Sequence, residues 1–102
     1  MAHKIIWSPE AVADLTEIRD YVARDSDAYA AALVERILSS IDRLSDFPNL
    51  GQRVPELDDD FIRQLIVDRY RVIYRVRAQA VDLAAIVHGA RDLPRALAGR
   101  GL

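Results

Sequence analysis

Cysteine is absent from the 102 residues, which excludes a disulfide framework and a thiolate metal site. Histidine occurs only as His3 and His88, and no His/Asp/Glu spacing matches a metal-ligand motif, so no metal is expected. Neither a GxxxxGK loop nor a GxGxxG turn occurs, and no cofactor is expected. No apolar run approaches the roughly 20 residues of a membrane helix. The N-terminal stretch MAHKIIWSPEA has one lysine and a three-residue apolar run before a proline, unlike a secretory leader. These absences together make a cytoplasmic protein the default expectation. Internal repeats and low-complexity segments are also missing.

What is present is ordinary for a globular chain: 51% hydrophobic and 29% charged residues. The length fits a single domain over residues 1–102. Such a domain buries roughly 60–70% of the surface its unfolded chain would expose. The net charge of −2 hides an asymmetry. Residues 1–60 hold 6 Lys/Arg against 13 Asp/Glu, a net −7, and residues 61–102 hold 8 against 3, a net +5. Either the second half presents an anion-attracting surface, or the halves neutralise each other across the fold.

Residues 3–7, HKIIW, read as a short strand. Ser8-Pro9-Glu10 then signals a helix start, with Ser8 as cap, Pro9 in the first turn and Glu10 at the positive end of the dipole. Ala11, Leu15, Ile18 and Val22 make its apolar stripe, leaving Asp14, Glu17 and Asp20 on a solvated face. Arg24-Asp25-Ser26-Asp27 breaks the pattern and recaps. A second helix follows, with a stripe of Ala30, Val34, Ile37, Ile41 and Leu44, so the pair predicts an antiparallel helical hairpin. FPNLGQRVPEL, residues 47–57, reads as a loop that Asp58, Asp59 and Asp60 extend and keep soluble. Beyond it the period becomes two, and residues 61–67, 70–77 and 81–87 predict an antiparallel meander. The tail, DLPRALAGRGL, reads as poorly ordered or as one helical turn. The expectation is an α+β domain, β-α-α-β-β-β, with the helices on one face of the sheet.

Joining the last two strands through a turn at Ala78-Gln79 pairs Val76 with Val81, Tyr74 with Leu83, Val72 with Ala85 and Tyr70 with Val87, an apolar face for the helices. The opposite face then pairs Arg75 with Asp82, Ile73 with Ala84 and Arg71 with Ile86, with Arg69 opposite His88 and Arg91 three residues beyond. Arg71, Arg69, His88 and Arg91 lack an acidic partner within this hairpin. They are expected to gather as a basic cluster at one end of an uncovered sheet face, with Arg63 near it. The plainer alternative is an exposed sheet face kept soluble by arginines. Trp7 is expected in the core, and Ser8 needs no role beyond capping.

The pieces WSPEAVADLTEIRDYVARDS, IDRLSDFPNLGQRVPEL, RQLIVDRYRVIYRV and VHGARDL, taken in this order, resemble the RelE/ParE superfamily, toxins of bacterial type II toxin–antitoxin (plasmid-stabilisation) modules. The resemblance covers most of the chain and implies the same α+β fold. It also implies a cognate antitoxin whose C-terminal segment wraps the toxin, by a helix in a groove, an added strand, or both.

Two activities occur in this superfamily. RelE-type members cleave mRNA on the ribosome through a 2′-hydroxyl, which requires proton acceptors and donors and cations facing phosphate. Arg71, after the tyrosine of the third strand, and Arg91, past the fourth, match the two arginines of that pattern. His88, alone in the cluster, titrates near neutrality and is the candidate base. The lysine pair of the preceding strand is missing from FIRQLIV, and the tail has no tyrosine. ParE-type members bind DNA gyrase and trap its cleaved-DNA complex without covalent chemistry, and the SPEA and HGAR regions look more like theirs. The resemblance therefore favours a gyrase inhibitor with no catalytic residues, using Arg63, Arg69, Arg71, Arg75, His88 and Arg91 to bind target or antitoxin. The alternative is a ribosome-dependent mRNA endonuclease working through Arg71, His88 and Arg91.

Overall fold

The computed structural model describes residues 2–102. The chain runs β1 (Lys4–Trp7), α1 (Pro9–Ala23), α2 (Asp27–Asp42), a 3-10 turn (Arg43–Ser45), β2 (Gln52–Arg53), β3 (Ile62–Val67), β4 (Tyr70–Val76), β5 (Ala80–His88) and α3 (Leu93–Leu97). Five strands form one sheet in the order β1-β5-β4-β3-β2. The α+β class holds, and the expected β-α-α-β-β-β order gains a strand, β2, and a C-terminal helix, α3. The sheet is larger than a meander of three: β1 lies parallel to β5, and β2 lies within the expected 47–57 loop, antiparallel to β3. A parallel pair needs a long crossover, and the helical hairpin supplies part of it.

Both helix starts behave as read. Ser8 Oγ accepts from the Ala11 amide at 3.0 Å, and Ser26 Oγ accepts from the Tyr29 amide at 3.1 Å. Ala11, Leu33, Ile37, Ile41 and Leu44 are buried beneath the hairpin against Val72, Tyr74, Val81, Leu83 and Ile86. Leu33 takes the place expected of Val34, which is only half-buried. Trp7 packs at the edge of this core, as expected. Tyr74 is fully buried, and its hydroxyl donates to the Pro48 carbonyl and accepts from the Gly51 amide, each at 2.9 Å. Burial raises the Tyr74 pKa above its ordinary value. Gly51 is required there, since a Cβ would lie 2.7 Å from the Tyr74 hydroxyl.

The register of β4 and β5 changes part-way along. Val76–Val81, Arg75–Asp82 and Tyr74–Leu83 pair as expected. Ala84 then bulges out of the ladder, and the pairs become Ile73–Ala85, Val72–Ile86, Arg71–Val87 and Tyr70–His88. The expected partners Val72–Ala85, Tyr70–Val87, Ile73–Ala84, Arg71–Ile86 and Arg69–His88 are corrected accordingly. The extra residue flips the end of β5: Ile86 and His88 turn toward the helices, while Ala85 and Val87 turn away. The run Leu83–Val87 is apolar throughout because β5 is covered on both sides.

The second sheet face is likewise not left uncovered. The tail forms α3, which buries Leu93 and Leu97 against Ile73, Ala85, Val87, Val54 and Ile62. The chain then returns around the edge of β5, which β1 leaves open after Trp7. There the Ile86 amide donates to Asp14 Oδ2 at 2.9 Å, and the Ala84 carbonyl accepts from Arg100 Nη1 at 3.1 Å. Arg100 also grips Asp14 with two bonds of 2.6 and 3.0 Å. Asp14 is therefore no solvated-face residue. It ties α1, the bulge and the tail together.

Candidate binding face

The expected basic cluster is divided and partly neutralised. Arg71 points from β4 onto the α3 side of the sheet, with its side chain only 10% exposed. Its Nη1 and Nη2 donate to the two Glu56 carboxylate oxygens at 2.7 and 2.8 Å, and Nε donates to Gln64 Oε1 at 2.7 Å. The planar fork matches a carboxylate in this way. The bond to Arg71 holds the Glu56 carboxyl below its ordinary pKa, and the same bond raises that of Arg71. The expectation that Arg71 lacks an acidic partner is corrected: the partner comes from the loop before β3, not from the hairpin.

Arg75 is corrected in the same way. It donates to Asp59 at 3.2 Å, while Asp82 is held by Arg77 through bonds of 2.6 and 2.9 Å. Arg53 meets both Asp58 and Asp60. The acidic loop is therefore a strap of carboxylates laid over arginines, rather than a solubilising edge alone. Arg63 Nη1 donates to the Gly51 carbonyl at 2.8 Å and braces the loop before β2. Across the molecule, Glu56, Asp59 and Asp14 from the acidic half pair with Arg71, Arg75 and Arg100 from the basic half. The halves do neutralise each other at these points.

Of the five candidate arginines, Arg69 and Arg91 make neither an ion pair nor a side-chain hydrogen bond among the described residues. Arg69 sits in the β3–β4 turn beside Asp68, whose φ is 55°. That turn is held to α2 by Tyr29, which donates to Asp68 at 2.6 Å, and by Arg36 at 3.3 Å. The Tyr29 bond lowers the Asp68 pKa and raises that of Tyr29.

Arg69 and Arg71 share a cleft of about 480 Å³ with Glu56, Gln64, Ile66 and Gly89. His88 and Arg91 instead line a second cleft, about 460 Å³, facing α1 with Glu17 and Tyr21. Tyr70 lines both clefts. It meets the His88 ring edge-on, with centroids 5.7 Å apart. His88 is exposed, and its Nδ1 accepts from the Ala90 amide at 3.1 Å. The bulge explains the division, because it turns His88 to the side of the sheet opposite Arg71.

Glu56 and Gln64 were not singled out from the sequence, and Asp59 stands there only as part of a solubilising loop. Gln64 carries the clearest missed signal: it is a polar residue between Ile62 and Ile66 on one alternation, and like Ile62 it is buried.

A helical hairpin on a five-stranded sheet, with a short C-terminal helix behind it and arginines on its strands, defines a small α+β protein. Comparison with known proteins narrows this. The model of the family described as "ParE toxin of type II toxin-antitoxin system, parDE" matches residues 5–93. Toxin RelE2 of Caulobacter vibrioides is 33% identical over 89 residues, covering 86% of this chain and 97% of that protein. Protein Y4kP of Sinorhizobium fredii is 28% identical over 98 residues, covering 92% and 96%. Among solved structures, the "Chromosomal ParDE TA system from P. aeruginosa" superimposes with a TM-score of 0.70 at 23% identity, over 85% of this chain and 96% of that one, and shares its fold. The chain belongs to the ParE toxin family of the RelE/ParE superfamily. It is the toxin component of a type II toxin–antitoxin module, and membership implies an antitoxin as its partner.

Proposed function

We propose that this toxin acts in the cytoplasm by binding DNA gyrase and stabilising its cleaved-DNA complex, with no covalent chemistry of its own. The observation that carries this reading is the state of Arg71, the residue placed where a RelE-type nuclease keeps a phosphate-facing cation. Its guanidinium is bound to a carboxylate on two nitrogens and to Gln64 on the third. A cation so neutralised gives little stabilisation to charge developing on phosphate. His88, the one candidate base, lies on the other side of the sheet, in a different cleft. Non-covalent docking needs only free charges and shape, and Arg69 and Arg91 supply the charges. The family match to ParE toxins over residues 5–93 supports the same target.

The test is to incubate the toxin with gyrase and relaxed plasmid. Loss of supercoiling with accumulation of cleaved DNA is expected, and Arg91→Ala weakens it. Unimpaired supercoiling by folded toxin overturns the reading in favour of ribosome-dependent mRNA cleavage. That second reading rests on the placing of His88 and Arg91 in one cleft with Tyr21 and Tyr70, and His88→Gln then abolishes cleavage.

A further inference from the structure

The segment Glu56-Leu57-Asp58-Asp59-Asp60 lies on the toxin much as a bound peptide would. Its carboxylates meet Arg71, Arg53 and Arg75, and its one apolar side chain, Leu57, packs against the core beneath α3. The central contact is a fork of two hydrogen bonds between Arg71 and Glu56. Arg71 is anchored: its side chain is 10% exposed, and its Nε is fixed by Gln64. Glu56 is the looser half, 35% exposed and carried on a loop bounded by Pro55. Beside them the cleft continues past Arg69, which has no ion pair among the described residues, and Ile66, which is 60% exposed. One side of the site is thus occupied by the chain's own acidic segment. The other side offers a free cation and a bare apolar side chain.

We propose that Glu56–Asp60 is a built-in stand-in for an acidic, apolar-punctuated peptide segment of the antitoxin, which displaces Glu56 from Arg71 and continues across Arg69 and Ile66. Exchange of one carboxylate for another on the same fork conserves both hydrogen bonds and the charge pairing, so its cost is that of moving a loop. A phosphate-bearing strand fits less well, because the exposed Ile66 beside the fork offers it no apolar partner. The stand-in keeps the charge of Arg71 compensated in the free toxin and sets a threshold that only an acidic segment with a matching apolar residue passes. This inference needs an antitoxin partner but not the gyrase target, so the supercoiling assay and the experiment below can fail independently.

The probe is a fluorescent hexapeptide of alternating glutamate and leucine, titrated by anisotropy, with a labelled octathymidylate as the competing chemistry. Glu56→Gln keeps the side-chain shape and removes the competing charge. It is expected to tighten peptide binding about ten-fold at low salt, and the gain disappears when Arg71→Gln is added. In the wild type, saturating peptide shifts the carboxyl-carbon resonance of Glu56 as it leaves the fork, a readout that requires no variant to fold. A folded Glu56→Gln protein with unchanged peptide affinity overturns the proposal, as does a Glu56 resonance unmoved at saturation. Equal or greater gain for the oligonucleotide also overturns it and assigns the cleft to a nucleic-acid backbone.

Discussion

The two faces of the sheet are closed by different forces. On the hairpin side, α1 and α2 cover Val72, Tyr74, Leu83 and Ile86 with a continuous apolar layer. On the other side, α3 covers only the strip around Ile73, Ala85 and Val87, and the remaining cover is the acidic loop held by Arg71 and Arg75. Apolar burial is non-directional and accumulates with area, so the first face holds the molecule together. Ion pairs with half-open carboxylates contribute little net stability and can exchange partners. The second face is therefore where the protein can respond to another molecule without unfolding.

The sharpest way to break this comparison is to cut both faces equally. Ile37→Ala on the hairpin side is expected to lower stability by about 3 kcal/mol, read from the urea midpoint. Leu93→Ala on the α3 side is expected to cost about 2 kcal/mol by the same measurement. A loss under about 0.5 kcal/mol would mean that α3 docks outside the cooperative unit. Asp14→Asn tests the junction of the two faces. It strips Arg100 of its charge partner and is expected to cost about 1–2 kcal/mol, with faster hydrogen exchange at the Ile86 amide. Glu56→Gln probes the ionic cover and is expected to cost about 1 kcal/mol at neutral pH.

The pH dependence of that last variant sharpens the point. Arg71 holds the Glu56 carboxyl below its ordinary value, so the stabilisation is present above the unfolded carboxyl's pKa. It is lost as pH falls through the lowered folded value. The difference between wild type and Glu56→Gln is therefore full at pH 7 and shrinks toward zero in acid. Stability curves measured at both ends would show it, and a difference that persists in acid would mean that the cost of the variant does not come from the Glu56 charge.

Local signals carried much of the fold. The Ser8-Pro9 and Ser26 starts, the 3.6-residue stripes and the switch to period two at Phe61 each rest on short-range chemistry, and each is present in the structure. What was hidden depended on contacts distant in sequence. The Ala84 bulge is stabilised by Ser8, Asp14 and Arg100, from opposite ends of the chain, and no pattern within β5 reveals it. Because side chains alternate, that one extra residue also misplaced His88 relative to Arg71. Glu56 was illegible for a related reason: a carboxylate in a loop finds its arginine only after the sheet has formed. The six candidate residues were legible as cations but not as partners, and five of them are arginines whose states range from buried and paired (Arg71) to exposed and free (Arg91).

A strand edge with open donors and acceptors recruits strands from other molecules, and repeated recruitment produces aggregates. β5 exposes such an edge where β1 turns away after Trp7. Asp14 and Arg100 fill it, a carboxylate standing where a neighbouring carbonyl would accept and a guanidinium where an amide would donate. The ion pair thus acts as a counterfeit strand two side chains long. Loss of Arg100, by mutation or by trimming of the tail, would free the Ala84 carbonyl while Asp14 still holds the Ile86 amide, leaving half of that edge open to pairing with another chain.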